Sequence, residues 1–209
     1  MDEKDTDRLE AFSDGVFAVA ITLLVLDIRI STVDPSGKIL DNLGLWSALL
    51  GQRSTLFAFV TSFLTVGIMW LNHHRVFKHV ERTDTGLLLL NLLLLFLIVF
   101  VPVPTALLGG SLGEPYEQAA AVLYSGTFFL IACSFNLLWR YASYHNRLIG
   151  KDIDQRTVAA ISRQYSFGPL FYFTAFALAW ISAPASTILN FMFALFFALP
   201  GPPLRRLPQ

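Results

Sequence analysis

The stretch "RLEAFSDGVFAVAITLLVLDI", residues 8–28, decides the fold. A bilayer's hydrocarbon core is about 30 Å thick and takes about 20 largely apolar residues of helix to cross. The stretch has that length and character, yet it opens on Arg8, carries Ser13 and Asp14 near its start, and holds Thr22 within its aliphatic half. A helix that only anchors a chain has no use for these groups, because each costs free energy to bury without a partner.

Outward from this stretch the rest of the chain has the same character. Of 209 residues, 55% are apolar and only 14% are charged, with a mean hydropathy of +0.58. Soluble domains carry about a quarter charged residues, so these long runs of Leu, Phe, Ala and Val are expected to be solvated by lipid. Six spans are predicted, at 10–30, 50–73, 86–108, 117–139, 165–182 and 186–201, within a single domain covering 1–209. "GGSLGEP" and "SAPAS" join the third to the fourth span and the fifth to the sixth by tight turns. "LPGPPLRRLPQ" ends the last. The opening "MDEKDTDRLEAF" lacks the basic start of a signal peptide, so the first span is expected to be retained. The formal net charge is zero, which gives no argument for nucleic acid as a partner. Cys133 is the single cysteine, so neither an intrachain disulfide nor a cysteine metal cluster is expected.

Basic residues set the orientation of such a chain. With the N-terminus inside, the inner segments hold Lys4, Arg8, Arg75, Lys78, Arg82, Arg140, Arg147, Lys151, Arg156, Arg163, Arg205 and Arg206, twelve of the fifteen. Only Arg29, Lys38 and Arg53 fall outside. Both termini are therefore expected in the cytoplasm, at the cell (inner) membrane. Trp46, Trp139 and Trp180 lie near predicted span ends and read as interfacial anchors; Trp70 is set apart for a polar role.

On a helix turning about 100° per residue, Val19, Leu23 and Leu26 fall within about 60° of one another, with Thr22 at the edge of their stripe. Asp14 lies about 140° from Val19, so the helix separates an aliphatic stripe from a carboxylate near its cytoplasmic end. Arg8 and Asp14 are poorly placed to pair with each other. Charged groups in spans usually face protein, which points to partners on the second helix, where "GIMWLNHHRVF" ends at the same level. Trp70 and His73 share a face there and both could donate to Asp14. Simple hydration of Asp14 and an anchoring role for Arg8 are the alternatives. Asn91, Ser125, Thr127, Ser134 and Asn136 sit inside apolar runs and are expected to bond between helices. "YASYHNRLIGKDIDQRTVAAISRQY" is expected to extend the fourth and fifth helices with a solvated charged face.

"RLEAFSD" fits an R-x-x-x-F-S-D pattern, and "WLNHH" closes the second span. Together they resemble the transmembrane-protein-175 family of potassium channels. The resemblance covers the whole chain and matches the family's prokaryotic single six-span form. It implies an all-α membrane protein that assembles as a homotetramer, with the first helix of each subunit lining a central pore and with potassium as the permeant ion. It implies no cofactor and no enzymatic activity. Matched residue by residue, Val19, Leu23 and Leu26 correspond to the constriction and pore layers, and Thr22 to the hydroxyl linked to potassium preference. Arg8, Phe12, Ser13, Asp14, Trp70 and His73 correspond to the motifs that hold helices together near the cytoplasmic end. Members often carry Ile or Leu where this chain has Val19, so the ring here is built from a shorter side chain. The same stripe on an isolated helix would equally suit contact with lipid.

Such a constriction opposes hydrated ions by dewetting, and potassium holds its water less tightly than sodium. A Thr-Val-Gly-Tyr-Gly filter is absent from the sequence, so modest selectivity is expected. Asp27, near the outer end and about 80° from the stripe centre, could enrich cations, pair with Arg29 or simply be hydrated. Three other functions compete: a proton leak or proton-coupled transporter using Asp14, His73 and His74; a membrane enzyme; and an accessory subunit that does not conduct. No titratable residue lies between Asp14 and Asp27 in the first span, which weighs against a relay. Adjacent His73 and His74 point about 100° apart on a helix and do not chelate one metal. No H-E-x-x-H or G-x-S-x-G occurs.

Overall fold

A computed structural model describes residues 3–33, 36–150 and 153–198. Lys151, the end of the sixth expected span and the tail with Arg205 and Arg206 lie outside the described residues. The helices are α1 (Glu3–Leu23), α2 (Asn42–Gly51), α3 (Arg53–Phe77), α4 (Thr85–Phe100), α5 (Pro102–Gly110), α6 (Glu117–Ser143), α7 (Gln155–Ala179) and α8 (Ala183–Ala198). A 3-10 turn, Leu24–Asp27, prolongs α1. Four segments are long and apolar enough to cross a membrane: Thr6–Asp27, Arg53–Phe77, Thr85–Gly110 and Glu117–Asn146. The chain is thus a multi-pass, all-helical membrane protein.

The third segment bends, because Pro102 and Pro104 have no N–H to give to the helix. The N–H of Val101 turns back to Ile98 O at 3.2 Å, and the ladder resumes with Thr105 N to Val101 O at 3.1 Å. The bend carries α5 against α3, where the chains touch at Gly109. A β-carbon there would come 2.9 Å from Thr55 Cα. Between the helices, buried hydroxyls form short chains. Thr105 gives its proton to Val101 O (2.8 Å), so its oxygen accepts from Ser62 (2.8 Å), and Ser62 in turn accepts from Tyr124 (3.0 Å). A second knot joins α6, α7 and α8. Asn190 Nδ2 donates to Ser125 Oγ (2.9 Å), Ser125 lies 2.8 Å from Ser186, and Ser186 donates to Ala175 O (2.7 Å). Interhelical bonds of this kind contribute about 0.6 kcal/mol each. Asn91 and Ser125 bond between helices as expected. Thr127 and Ser134 do not: each donates to the carbonyl four residues back in α6, at 2.8 and 3.0 Å. A hydroxyl can always reach that carbonyl on its own helix.

Trp139 is a second correction. Trp46 and Trp180 are exposed, but Trp139 is fully buried, and its indole N–H donates to Ser162 Oγ at 2.9 Å. It ties the polar first half of α7 to α6, where Arg140 also donates to Ser166 Oγ at 3.3 Å. The connection after α6 is likewise more than a solvated face. Leu148 and Ile149 are buried, and Ile149 bridges Val80. Arg82 Nη2 donates to the carbonyls of Asn146 (3.4 Å) and Ile149 (3.3 Å). Asp84 caps α4 by accepting from Leu87 N (2.8 Å), and also accepts from Tyr141 (3.0 Å) and Arg147. Burial pushes the Asp84 carboxyl up, but these hydrogen bonds and the Arg147 charge outweigh it and hold it below the ordinary aspartate range.

Candidate functional site

The two faces of α1 have opposite fates in one chain. Ser13, Phe17, Ala20 and Leu24 recur at helical spacing and are buried against α3 and α4. Centred about 140° away, Phe12, Val19, Thr22 and Leu23 are exposed; Val19 is 54% exposed and Leu26, beyond them, 65%. The 3-10 turn changes the register at the C-terminal end of α1. At about three residues per turn, Leu26 lies in line with Leu23. Asp27 is turned toward the body of the subunit instead, half-buried, with Oδ2 lacking a hydrogen-bond partner among the described residues. The 3-10 winding carries it further from the stripe than the about 80° that uniform α-helical winding gives. Thr22 Oγ1 donates to Val19 O at 2.9 Å. Its proton is thereby committed, and its oxygen presents only lone pairs outward.

The N-terminal half of α1 is held by two separate polar contacts. Trp70 Nε1 donates to Asp14 Oδ1 at 2.8 Å. His73, which the sequence placed on the same carboxylate, goes elsewhere. Its Nε2 lies 2.9 Å from Asn91 Oδ1 on α4, and Asn91 Nδ2 donates to Ser13 Oγ at 3.0 Å. Ser13 spends its own proton on Leu9 O at 2.8 Å. The direction of the whole chain follows: the serine oxygen accepts, so the amide nitrogen faces it, the amide oxygen faces His73, and Nε2 must carry a hydrogen. His73 Nδ1 is buried with no hydrogen-bond partner among the described residues. The imidazole is packed between aromatic rings, 5.4 Å from Phe17 and stacked at 4.3 Å on Phe77. His74, one residue on, faces out and donates from Nδ1 to Glu10 Oε1 at 2.5 Å.

Of the six residues expected in this network, the subunit itself brings Ser13 and His73 together through Asn91, and Asp14 together with Trp70. Arg8 and Phe12 are exposed, and Arg8 makes no hydrogen bond or ion pair with another described residue. Asn91 was legible only as a generic interhelical polar residue, and Glu10 and His74 were not paired in the sequence at all. The usable signal for Asn91 was its isolation: it is the one polar residue in "LLLLNLLLLF". Among the described residues no group of three or more His, Cys, Asp or Glu side chains could hold a metal ion.

Residues 8–102 match the family model of the endosomal/lysosomal potassium channel TMEM175. A potassium channel of Chamaesiphon minutus is 48% identical over 95% of this chain and 96% of its own length. One of Streptomyces collinus is 40% identical over 92% and 91%, respectively. Among solved structures, the chain superposes with a TM-score of 0.81 on the crystal structure of a lysosomal potassium-selective channel TMEM175 homolog from Chamaesiphon minutus. That chain shares 45% identity with this one, over 93% of this chain and 97% of its own.

Proposed function

Since the chain belongs to the TMEM175 family of ion channels, we propose that it is a potassium channel in which four copies of α1 surround one conduction path. The family is one of channels and not of enzymes, and potassium is the permeant ion. The observation that carries the pore assignment is the exposed stripe of α1. Val19, Thr22, Leu23 and Leu26 face away from their own subunit, while the opposite face is packed and hydrogen-bonded to α3 and α4. A stripe so placed is free to meet its counterparts in three other subunits. In this reading α7 and α8 complete six passes, both termini are cytoplasmic, and the chain resides in the cell (inner) membrane. Arg8 and Phe12, exposed and without a polar or ring partner among the described residues, then face neighbouring subunits near the cytoplasmic end.

Rings of Val19, Leu23 and Leu26 form a dewetting constriction, and Leu23 and Leu26 stack as two layers because the 3-10 turn aligns them. Thr22 offers an oxygen whose proton is already bonded to Val19 O. Lone pairs facing the axis suit a cation that has shed part of its water, and potassium sheds it more readily than sodium. A relay of side chains carrying protons along α1 would need titratable steps that the helix lacks between Asp14 and Asp27, unless water fills the pore.

Reversal potentials under potassium–sodium gradients test this reading in reconstituted liposomes or planar bilayers. Thr22→Val keeps the side-chain shape and removes the oxygen, and it is expected to reduce potassium preference. Leu23→Ala widens a ring and is expected to raise flux. Unchanged preference in the first and unchanged flux in the second would return the stripe to contact with lipid.

A further inference from the structure

A cavity of about 100 Å³ opens between α3, α6 and α7, with Phe197 of α8 at its edge. Its lining is ordered by depth. On α3, Arg75 and Asn72 lie toward the helix end and Ile68 lies deeper; on α7, Gln164 comes first and Tyr172 lies two turns further in. Phe135 on α6 is stacked on Tyr165 with planes 5° apart and forms an apolar wall. With a rise of about 1.5 Å per residue, polar rim and apolar floor are about 10–12 Å apart along both helices. Arg75, Asn72 and Gln164 make no side-chain hydrogen bond or ion pair with a described residue. Asn72 meets Tyr165 only through its backbone carbonyl, which accepts from Tyr165 Oη at 3.1 Å.

From this arrangement we infer that the cavity is a binding site for an anionic phospholipid of the leaflet on the Arg75 side. The guanidinium and two amides take the headgroup phosphate, and the apolar floor takes the first methylenes of one acyl chain. Charge complementarity selects the occupant: an exposed guanidinium with no ion pair among the described residues favours an anionic headgroup over a zwitterionic one. Size sets how much enters. The cavity is smaller than the about 150 Å³ that holds a benzene-sized ligand, so a chain segment is inserted and the remainder stays in the surrounding lipid. Gly168 keeps the floor open. A β-carbon there meets only Ala132 Cβ, at 3.9 Å, so a larger side chain would project into the cavity.

The experiment is native mass spectrometry of the full chain in mild detergent. It is titrated with phosphatidylglycerol, with phosphatidylcholine of the same acyl chains, or with inorganic phosphate. Binding is read without reference to conduction. Wild type is expected to retain phosphatidylglycerol preferentially. Arg75→Gln is expected to weaken that retention about tenfold, the size of a lost charge-assisted hydrogen bond. Gly168→Leu is expected to weaken both lipids, with its fold checked by thermal melting. Arg163→Gln removes an exposed charge outside the cavity and is expected to bind as wild type. Equal retention of the two lipids, or unchanged retention in Arg75→Gln, overturns the proposal whether or not Gly168→Leu folds. So does an equal loss in Arg163→Gln, which would make the effect one of general surface charge. Saturation by inorganic phosphate that displaces the lipid would reduce the site to an anion site and overturn the lipid assignment.

Discussion

Asn91 has two neighbours that depend on it. It accepts from His73 Nε2 and donates to Ser13 Oγ, all of them buried. Asn91→Leu matches the surrounding leucines in character yet strands an imidazole N–H and a hydroxyl oxygen, each costing about 1–3 kcal/mol when left unsatisfied. The expected outcome is a clearly lowered thermal midpoint in detergent, partly restored when His73→Leu is added, because the two residues act as one unit. Additive losses in the double variant would break the proposed chain of donors. Asp84 makes a prediction of a different kind. Its carboxyl is held below the ordinary aspartate range, so the folded state binds fewer protons than the unfolded one. Its contribution is fully present above the ordinary aspartate pKa and is lost as pH falls through the lowered value. His79, lowered by burial and by Lys78, has the same sign but acts near the ordinary imidazole value of about 6.5, so the two windows separate. Melting curves of Asp84→Asn are expected to show weaker acid sensitivity below about pH 4 and unchanged slope near neutrality. A residue's type and depth were visible in the sequence at such positions. Its partner was not, because His73 can reach Asp14 or Asn91 from the same helix face, and packing alone decides between them.

Helices were legible where periodicity and apolar length agreed, and their limits were misread where other contacts took over. The first four spans correspond to α1, α3, α4 with α5, and α6. The polar first half of α7 is helical, as expected of the segment that extends the fifth helix, and its ties to Trp139 and Arg140 of α6 through Ser162 and Ser166 are what the sequence did not show. α2 escaped notice because its ten residues are too short for a span and none is buried; Asp41 starts it by accepting from Gly44 N at 2.7 Å. The bend at Pro102 was hidden inside a run whose composition is that of one continuous span. That bend brings α5 onto α3, and the contact makes a sharp test. Gly109→Ala places a methyl 2.9 Å from Thr55 Cα, a backbone atom that cannot step aside. Overpacking of this kind costs about 1–3 kcal/mol, and a lowered thermal midpoint is expected. Gly110→Ala has nothing within 4 Å of the new atom and is expected to be neutral or slightly stabilising through helix propensity. If both melt alike, α5 does not rest on α3 as described.

At the level of the whole molecule, one subunit leaves a helix face unused that four subunits would use. Cys133 is the only cysteine, so the arrangement can be probed by single thiols in a Cys133→Ala background. Val19→Cys puts a thiol on the exposed stripe. A disulfide requires Cα atoms about 4.4–6.8 Å apart, a separation that only a narrow ring of α1 helices around one axis would provide. Mild oxidation is then expected to give covalent dimers on a denaturing gel, since each thiol can bond one partner, from a particle whose mass in mild detergent is that of four chains. Val25→Cys is equally suited as a control. Val25 is 49% exposed, but in the 3-10 turn it lies about 120° from Leu23 and Leu26 and about 80° from Val19, off the line those three side chains share. That thiol is expected to remain monomeric under the same oxidation. Lipid-facing stripes would leave both variants uncrosslinked, and random collision in the micelle would crosslink both. Only a shared axis separates Val19 from Val25, and that axis is what a conduction path through α1 requires.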